Sequence, residues 1–112
     1  MSILKNISDI KGVSTAHGIG IKHVLLSGGE TDSAVTQIAV TTLRAEEEVE
    51  VHVHPTMDEH YIFLEGEGEM FFNGNWHNCK EGDYLLITKE DKHAMKAKSN
   101  MKFITIGIAY DK

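Results

Sequence analysis

A single cysteine in 112 residues rules out an internal disulfide. Cys79 therefore points to a reducing compartment, and a cytoplasmic location is expected. Basic residues are scarce as well: 11 Lys and Arg against 17 Asp and Glu leave a net charge of −6. No basic stripe or helix-turn-helix pattern offsets that balance, so no nucleic-acid partner is expected. Apolar runs are short, and the N-terminal MSILKNISDIKG breaks its apolar positions with Lys5, Asn6 and Asp9. Neither a membrane segment nor a signal peptide is expected. A Gly-rich phosphate loop and a Gly-flanked serine are both missing, which removes two common catalytic devices. Helical periodicity is absent too, as are repeats, linkers and low-complexity tracts.

What the chain does have is short apolar runs punctuated by ten glycines and the lone Pro55. Candidate strands read as 21–26, 35–43, 48–54, 60–65, 69–72, 76–79, 84–87, 93–97 and 102–109. Between MFF and NWH stands Asn73-Gly74, whose residues tolerate the positive φ of a tight hairpin turn. Many short strands with frequent turns predict an all-β antiparallel sandwich or barrel. The length suits one core closed without disulfide or zinc staples.

Chemistry concentrates in His52-Val53-His54-Pro55-Thr56-Met57-Asp58-Glu59, with a separate His93. Side chains alternate along a strand, so His52 and His54 share a face. A turn at Pro55 then returns the chain with a carboxylate, and a third imidazole can arrive from another strand. Three neutral nitrogens and one carboxylate oxygen suit a divalent transition metal.

These spacings resemble the cupin family. Its first motif, G-x5-H-x-H-x(3,4)-E-x6-G, is matched at His52, His54, Glu59 and Gly66, while its opening glycine falls on Glu46. Its second motif, G-x5-P-x-G-x2-H-x3-N, is matched at Gly82 and His93. Thr88, Glu90 and Ala97 replace the proline, second glycine and asparagine. The GEMFFNGNWHNCKE hairpin between the motifs is also similar. The match is continuous over 42–112, and 1–41 is assigned by continuity. The resemblance implies a double-stranded β-helix, or jelly-roll barrel, with 1–112 as one cupin domain.

It also implies a metal held by His52, His54, Glu59 and His93, with iron, manganese, nickel, copper or zinc all acceptable to that donor set. Asp58 rivals Glu59, but six residues separate Glu59 from Gly66, as the motif requires. Tyr61 and Phe63 share Glu59's face, and Tyr61 is a candidate proton donor beside the metal or a structural aromatic in the wall. Cupins of this kind act as dioxygenases, sugar isomerases, decarboxylases and cyclases. The expected function is thus a metal-dependent enzyme on a small organic substrate, of oxygenase or carbonyl or sugar isomerase type. A noncatalytic module that binds a sugar or an organic acid is the alternative.

The other histidines read as ordinary. His60 has the parity opposite to Glu59, His77 follows the hairpin turn, and nothing singles out His17 or His23. Cys79 reads as a quiet core residue and Glu46-Glu47-Glu48 with Glu50 as a solvated turn and outer face. Met70, Met95 and Met101 read as core filler, and Met57 as a residue near the pocket mouth. Ile62, Leu64 and part of Ile104 and Ile106 fall on outer faces, which predicts a homodimer, and the resemblance to small cupins implies that residues 1–10 join the partner's sheet.

Overall fold

Strands form where apolar and β-branched residues alternate with polar ones, and the turns form at Gly, Asn and acidic residues. The computed structural model describes residues 2–111. Among these, ten strands run in order: β1 Val13–Ser14, β2 Ile21–Ser27, β3 Val35–Leu43, β4 Glu48–His52, β5 Met57–Glu65, β6 Glu67–Phe72, β7 Asn75–Lys80, β8 Tyr84–Ile87, β9 His93–Ala97 and β10 Met101–Ala109. Short 3-10 turns occupy Ile7–Asp9 and Gly28–Glu30. All pairings are antiparallel, in a six-stranded sheet β1-β2-β3-β10-β5-β8 and a four-stranded sheet β4-β9-β6-β7. The all-β jelly-roll expectation holds.

The sheets face one another across a core of Leu43, Tyr61, Phe63, Met70, Ile87, Met95, Met101 and Phe103. Alternation decides membership: in β5, Tyr61 and Phe63 are buried while Ile62 and Leu64 are exposed. Tyr61, Phe63 and Phe103 form an aromatic group with ring centroids 5.8–6.0 Å apart. Such offset rings add attraction beyond the area they bury.

The turns explain where the sequence motifs keep glycine. Asn73 and Gly74 have φ of 51° and 80°, the pair of positive values that a two-residue hairpin needs. Gly66 has φ 85°, and a Cβ there would collide with the carbonyl oxygen of Asn100. The two positions where the motif glycine is replaced keep the same backbone: Glu46 has φ 74° and Glu90 has φ 68°. Tertiary contacts hold them there. Glu46 N–H donates to Ala97 O at 2.9 Å, and Glu90 N–H donates to His54 O at 2.8 Å.

Several strand boundaries differ from expectation. The strand expected over 48–54 ends at His52, because a register shift between Val49 and His52 and the Pro55 turn interrupt its pairing with β9. The strand expected to begin at His60 begins at Met57, since residues 57–59 continue the ladder with β10. Met57 therefore opens a strand rather than filling the turn. In the N-terminal segment, residues 2–10 hold a 3-10 turn, and Lys5 Nζ ties them to Leu25 O and Glu30 of the same chain. Met1 lies outside the described residues.

Candidate metal centre

His52 and His93 are direct partners across the β4–β9 pair, and their ring centroids lie 4.1 Å apart. His54 stands two residues on, where the chain has left the ladder but keeps the same inward parity. Its carbonyl is pinned by Glu90. Glu59 reaches in from β5 of the opposite sheet, and its Oε1 is 3.5 Å from both His54 Nε2 and His93 Nε2. One donor atom from each of the four residues lies within 4.8 Å of the others. The set is thus assembled from two sheets, brought together by the closure of the sandwich.

Outer contacts fix the imidazoles. His52 Nδ1 is 2.9 Å from Glu50 O, and His93 Nδ1 is 2.9 Å from Asp91 O. A carbonyl only accepts, so both Nδ1 atoms carry a proton, and in the neutral imidazole that leaves Nε2 as the ligating atom. His93 Nε2 is buried and has no hydrogen-bond partner. It faces the Glu59 carboxylate oxygen at 3.5 Å, an arrangement that takes either a proton on the imidazole or a metal cation between the two groups. The donor set fits a divalent transition metal.

Electrostatics agree with that reading. Burial pushes His52 down to about 4, with repulsion from His93, His17 and His54 adding and the Glu50 hydrogen bond opposing. Its imidazole is neutral at pH 7, the form that ligates. Burial alone would raise Glu59, but its neighbours His54, His93 and Tyr61 outweigh this and hold it well below the usual carboxylate range. Contact with Glu59 raises His54. Tyr61 O–H donates to Glu59 Oε1 at 2.6 Å, and burial with the adjacent carboxylate pushes its pKa well up. That hydroxyl keeps its proton and orients the carboxylate.

The cavity beside these residues has a volume of about 180 Å³, and Met57, Tyr61, Phe103 and Thr105 form part of its wall. Asp58 points elsewhere, accepting from Lys89 N–H and Tyr110 O–H. His60 pairs with Tyr84 O–H on the outer face, His23 Nδ1 meets Ile10 O, and His77 stacks on Phe72. Cys79 is buried, and burial, with Asp83 adding, pushes its thiol up to about 11, so it stays protonated and inert. Sequence reasoning missed His17. It sits at the cavity mouth with its ring 4.3 Å from that of His52, delivered by the loop between β1 and β2. Nothing local to residues 15–20 encodes that approach, because it depends on how the loop folds back over the barrel.

Comparison with known proteins places this architecture. The cupin domain family matches residues 39–107, which contain all four donors, and the chain belongs to that family. It is 36% identical over 63 residues to an L-ectoine synthase from Hahella chejuensis. The chain spans about half of that relative, 48% of its length, and 55% of this chain is matched. The fold is similar to the crystal structure of a predicted oxalate decarboxylase from Thermotoga maritima, with TM-score 0.86, 23% identity, and 96% and 99% of the two chains covered. It is also similar to ectoine synthase from P. lautus, with TM-score 0.83, 19% identity, and 96% and 78% covered. At these identities the structural likeness speaks to the fold.

Proposed function

We propose that this protein is a divalent-metal-dependent enzyme acting on a small organic substrate, with His52, His54, Glu59 and His93 as the metal ligands. One observation carries the reading: buried His93 Nε2 has no hydrogen-bond partner and faces the Glu59 carboxylate within a cluster of four donors. A metal there would supply Lewis acidity, polarising a substrate oxygen or activating a water. The chain's own groups do the rest. Glu50 and Asp91 carbonyls hold the imidazoles, and Tyr61 orients Glu59. With its hydroxyl committed to Glu59, Tyr61 acts chiefly as a positioning residue; proton donation to substrate is the further role proposed for it.

Oxygenase and carbonyl or sugar isomerase chemistry are the reaction classes proposed. Two of the proteins it resembles bear enzyme names, a synthase and a predicted decarboxylase, which favours catalysis over a binding module. The test is turnover of diketones, sugars, phenols and small acids by protein loaded with Fe(II) under oxygen, or with Mn(II). Metal-dependent product formation is expected. Saturable ligand binding without turnover under either condition would replace the enzyme with the noncatalytic binding module.

We further propose that the whole chain acts as one cupin domain and pairs as a homodimer in the cytoplasm. The outer face of the six-stranded sheet supports pairing, with Ile62, Leu64, Tyr84 and Leu86 exposed in neighbouring positions of β5 and β8. A twofold contact would bury that patch on both copies. Sedimentation at micromolar concentration should give twice the 12.5 kDa chain mass, and a species at that mass alone would refute the dimer. Among the described residues, no helix is long and apolar enough to cross a membrane.

A further inference from the structure

The cavity holds a cation, Lys22, that forms no ion pair among the described residues. Lys22 lies in β2 opposite Thr41 of β3, is half-buried, and lines the same cavity as the four donors. Its Nζ donates to Gln37 Oε1 at 3.3 Å. The ion pairs among the described residues join other groups, and none involves Lys22. Glu59 is the acidic residue of the cavity wall, and it is engaged by Tyr61 and the histidines.

Strand register shows how the two groups of residues face each other. Glu59, Gly107 and Gln37 form one row across β5, β10 and β3. Two strand spacings of roughly 4.8 Å separate the backbones of Glu59 and Gln37. Gly107 between them contributes no side chain, and a Cβ there would strike Thr36 Oγ1 and crowd Met57 Sδ at 3.0 Å. That space is taken by the Thr36 and Met57 side chains, whose Oγ1 and Sδ lie 3.1 Å apart. Thr105 lies in the next row, between Tyr61 and Ala39.

The donor inventory on the Lys22 side is one-sided. Lys22 keeps two ammonium protons after its bond to Gln37, and the Gln37 oxygen is used in that bond, which leaves its NH₂ as donor. A half-buried ammonium with surplus donors is stabilised by an anionic acceptor. A cavity of about 180 Å³ is on the scale of a small molecule.

We propose that Lys22 and Gln37 form a carboxylate subsite, so that the substrate is a small organic acid lying between the Lys22 ammonium and the metal position. The proposal rests on the metal-centre reading for its second anchor, while its first anchor is independent of any metal. Lys22 and Gln37 bind the carboxylate, and an oxygen a few carbons away reaches the four donors.

The test titrates 4-hydroxybutyrate and its uncharged match, butane-1,4-diol, into zinc-loaded and chelator-treated protein, followed by amide NMR shifts. The acid should bind about tenfold or more tighter than the diol in both forms, as expected for a charge-assisted contact. Lys22→Met should erase that preference at unchanged zinc content, and Lys22→Arg should restore it. If Lys22→Met does not fold, Lys22→Gln takes its place. An acid that binds no tighter than the diol overturns the proposal, and so does a preference that survives loss of the ammonium. Wild-type protein that takes up no zinc yet keeps a Lys22-dependent preference would instead sink the metal-centre reading and leave the subsite standing.

Discussion

The two ends of the barrel interior are built on the same strands yet behave in opposite ways. β5 places Phe63 in the closed end and Glu59 in the open end, and β9 places Met95 and Ala97 in one and His93 in the other. In the closed end, apolar residues point in. At the open end the rule inverts on the stretch from β4 to the Pro55 turn, where Val51 and Val53 are exposed and His52 and His54 face inward. Turning polar side chains in and apolar ones out costs burial energy. A fold retains that arrangement where the inward groups meet something that needs them. The closed end supplies stability, and the open end gives up part of it to hold four donor groups together.

The sharpest way to break this contrast is to attack the closed end. Phe63 is 1% exposed at the centre of the aromatic group, so Phe63→Ala should cost about 3–5 kcal/mol in urea unfolding. A loss below about 1 kcal/mol would mean that the aromatic group is not what holds the sheets together.

Acid should loosen the open end selectively. Burial holds His52 at about 4, against 6.5 for a free imidazole. A depressed pKa means that the unfolded state binds the proton first, so this stability is present above pH 6.5 and is lost as the pH falls toward 4. With allowance for screening at a half-exposed ring, the metal-free protein should lose about 2 kcal/mol from this group across that window. His52→Gln should flatten the slope. An unchanged slope in that variant would place the titrating group elsewhere.

Tyr61 sits where the two ends meet, with its ring in the core and its hydroxyl on Glu59. Tyr61→Phe should leave the melting temperature nearly unchanged while weakening metal affinity about tenfold, as removal of a ligand-orienting hydrogen bond does. Equal affinity in dialysis against a competing chelator would deny it the positioning role. The smallest effect should come from Glu90→Gly. The φ of 68° disfavours a side chain, so glycine should stabilise by about 1 kcal/mol without moving His54. Destabilisation would show that the Glu90 side chain has a role of its own.

Much of this was legible because β-structure writes its inward face with period two. Parity puts His52 and His54 on one face and Tyr61 and Phe63 on the face of Glu59, which the motif spacing selects, and Asn73-Gly74 marks its own turn. The motif departures at Glu46 and Glu90 left the turn geometry open, and the positive φ at both shows that the backbone is kept without glycine. The first forty residues were harder. His17 and Lys22 reach the cavity only through the closure of β2 onto β3 and the fold of the loop before it, which no local pattern encodes. Strand ends were misplaced where a register shift or a bound turn, rather than propensity, stops the ladder, as at His52 and Met57.

Metal content and fold, measured together on wild type and His54→Ala, test the central claim most directly. His54 is partly exposed at the barrel mouth, so its removal leaves the closed end intact. Elemental analysis of the purified proteins, with circular dichroism on the same samples, should give one bound divalent metal per chain for wild type. The His54→Ala sample should have lost it while keeping a β spectrum. Full metal occupancy in His54→Ala, or a coil spectrum once the metal is gone, would contradict the division between a closed end that folds the chain and an open end that holds the metal.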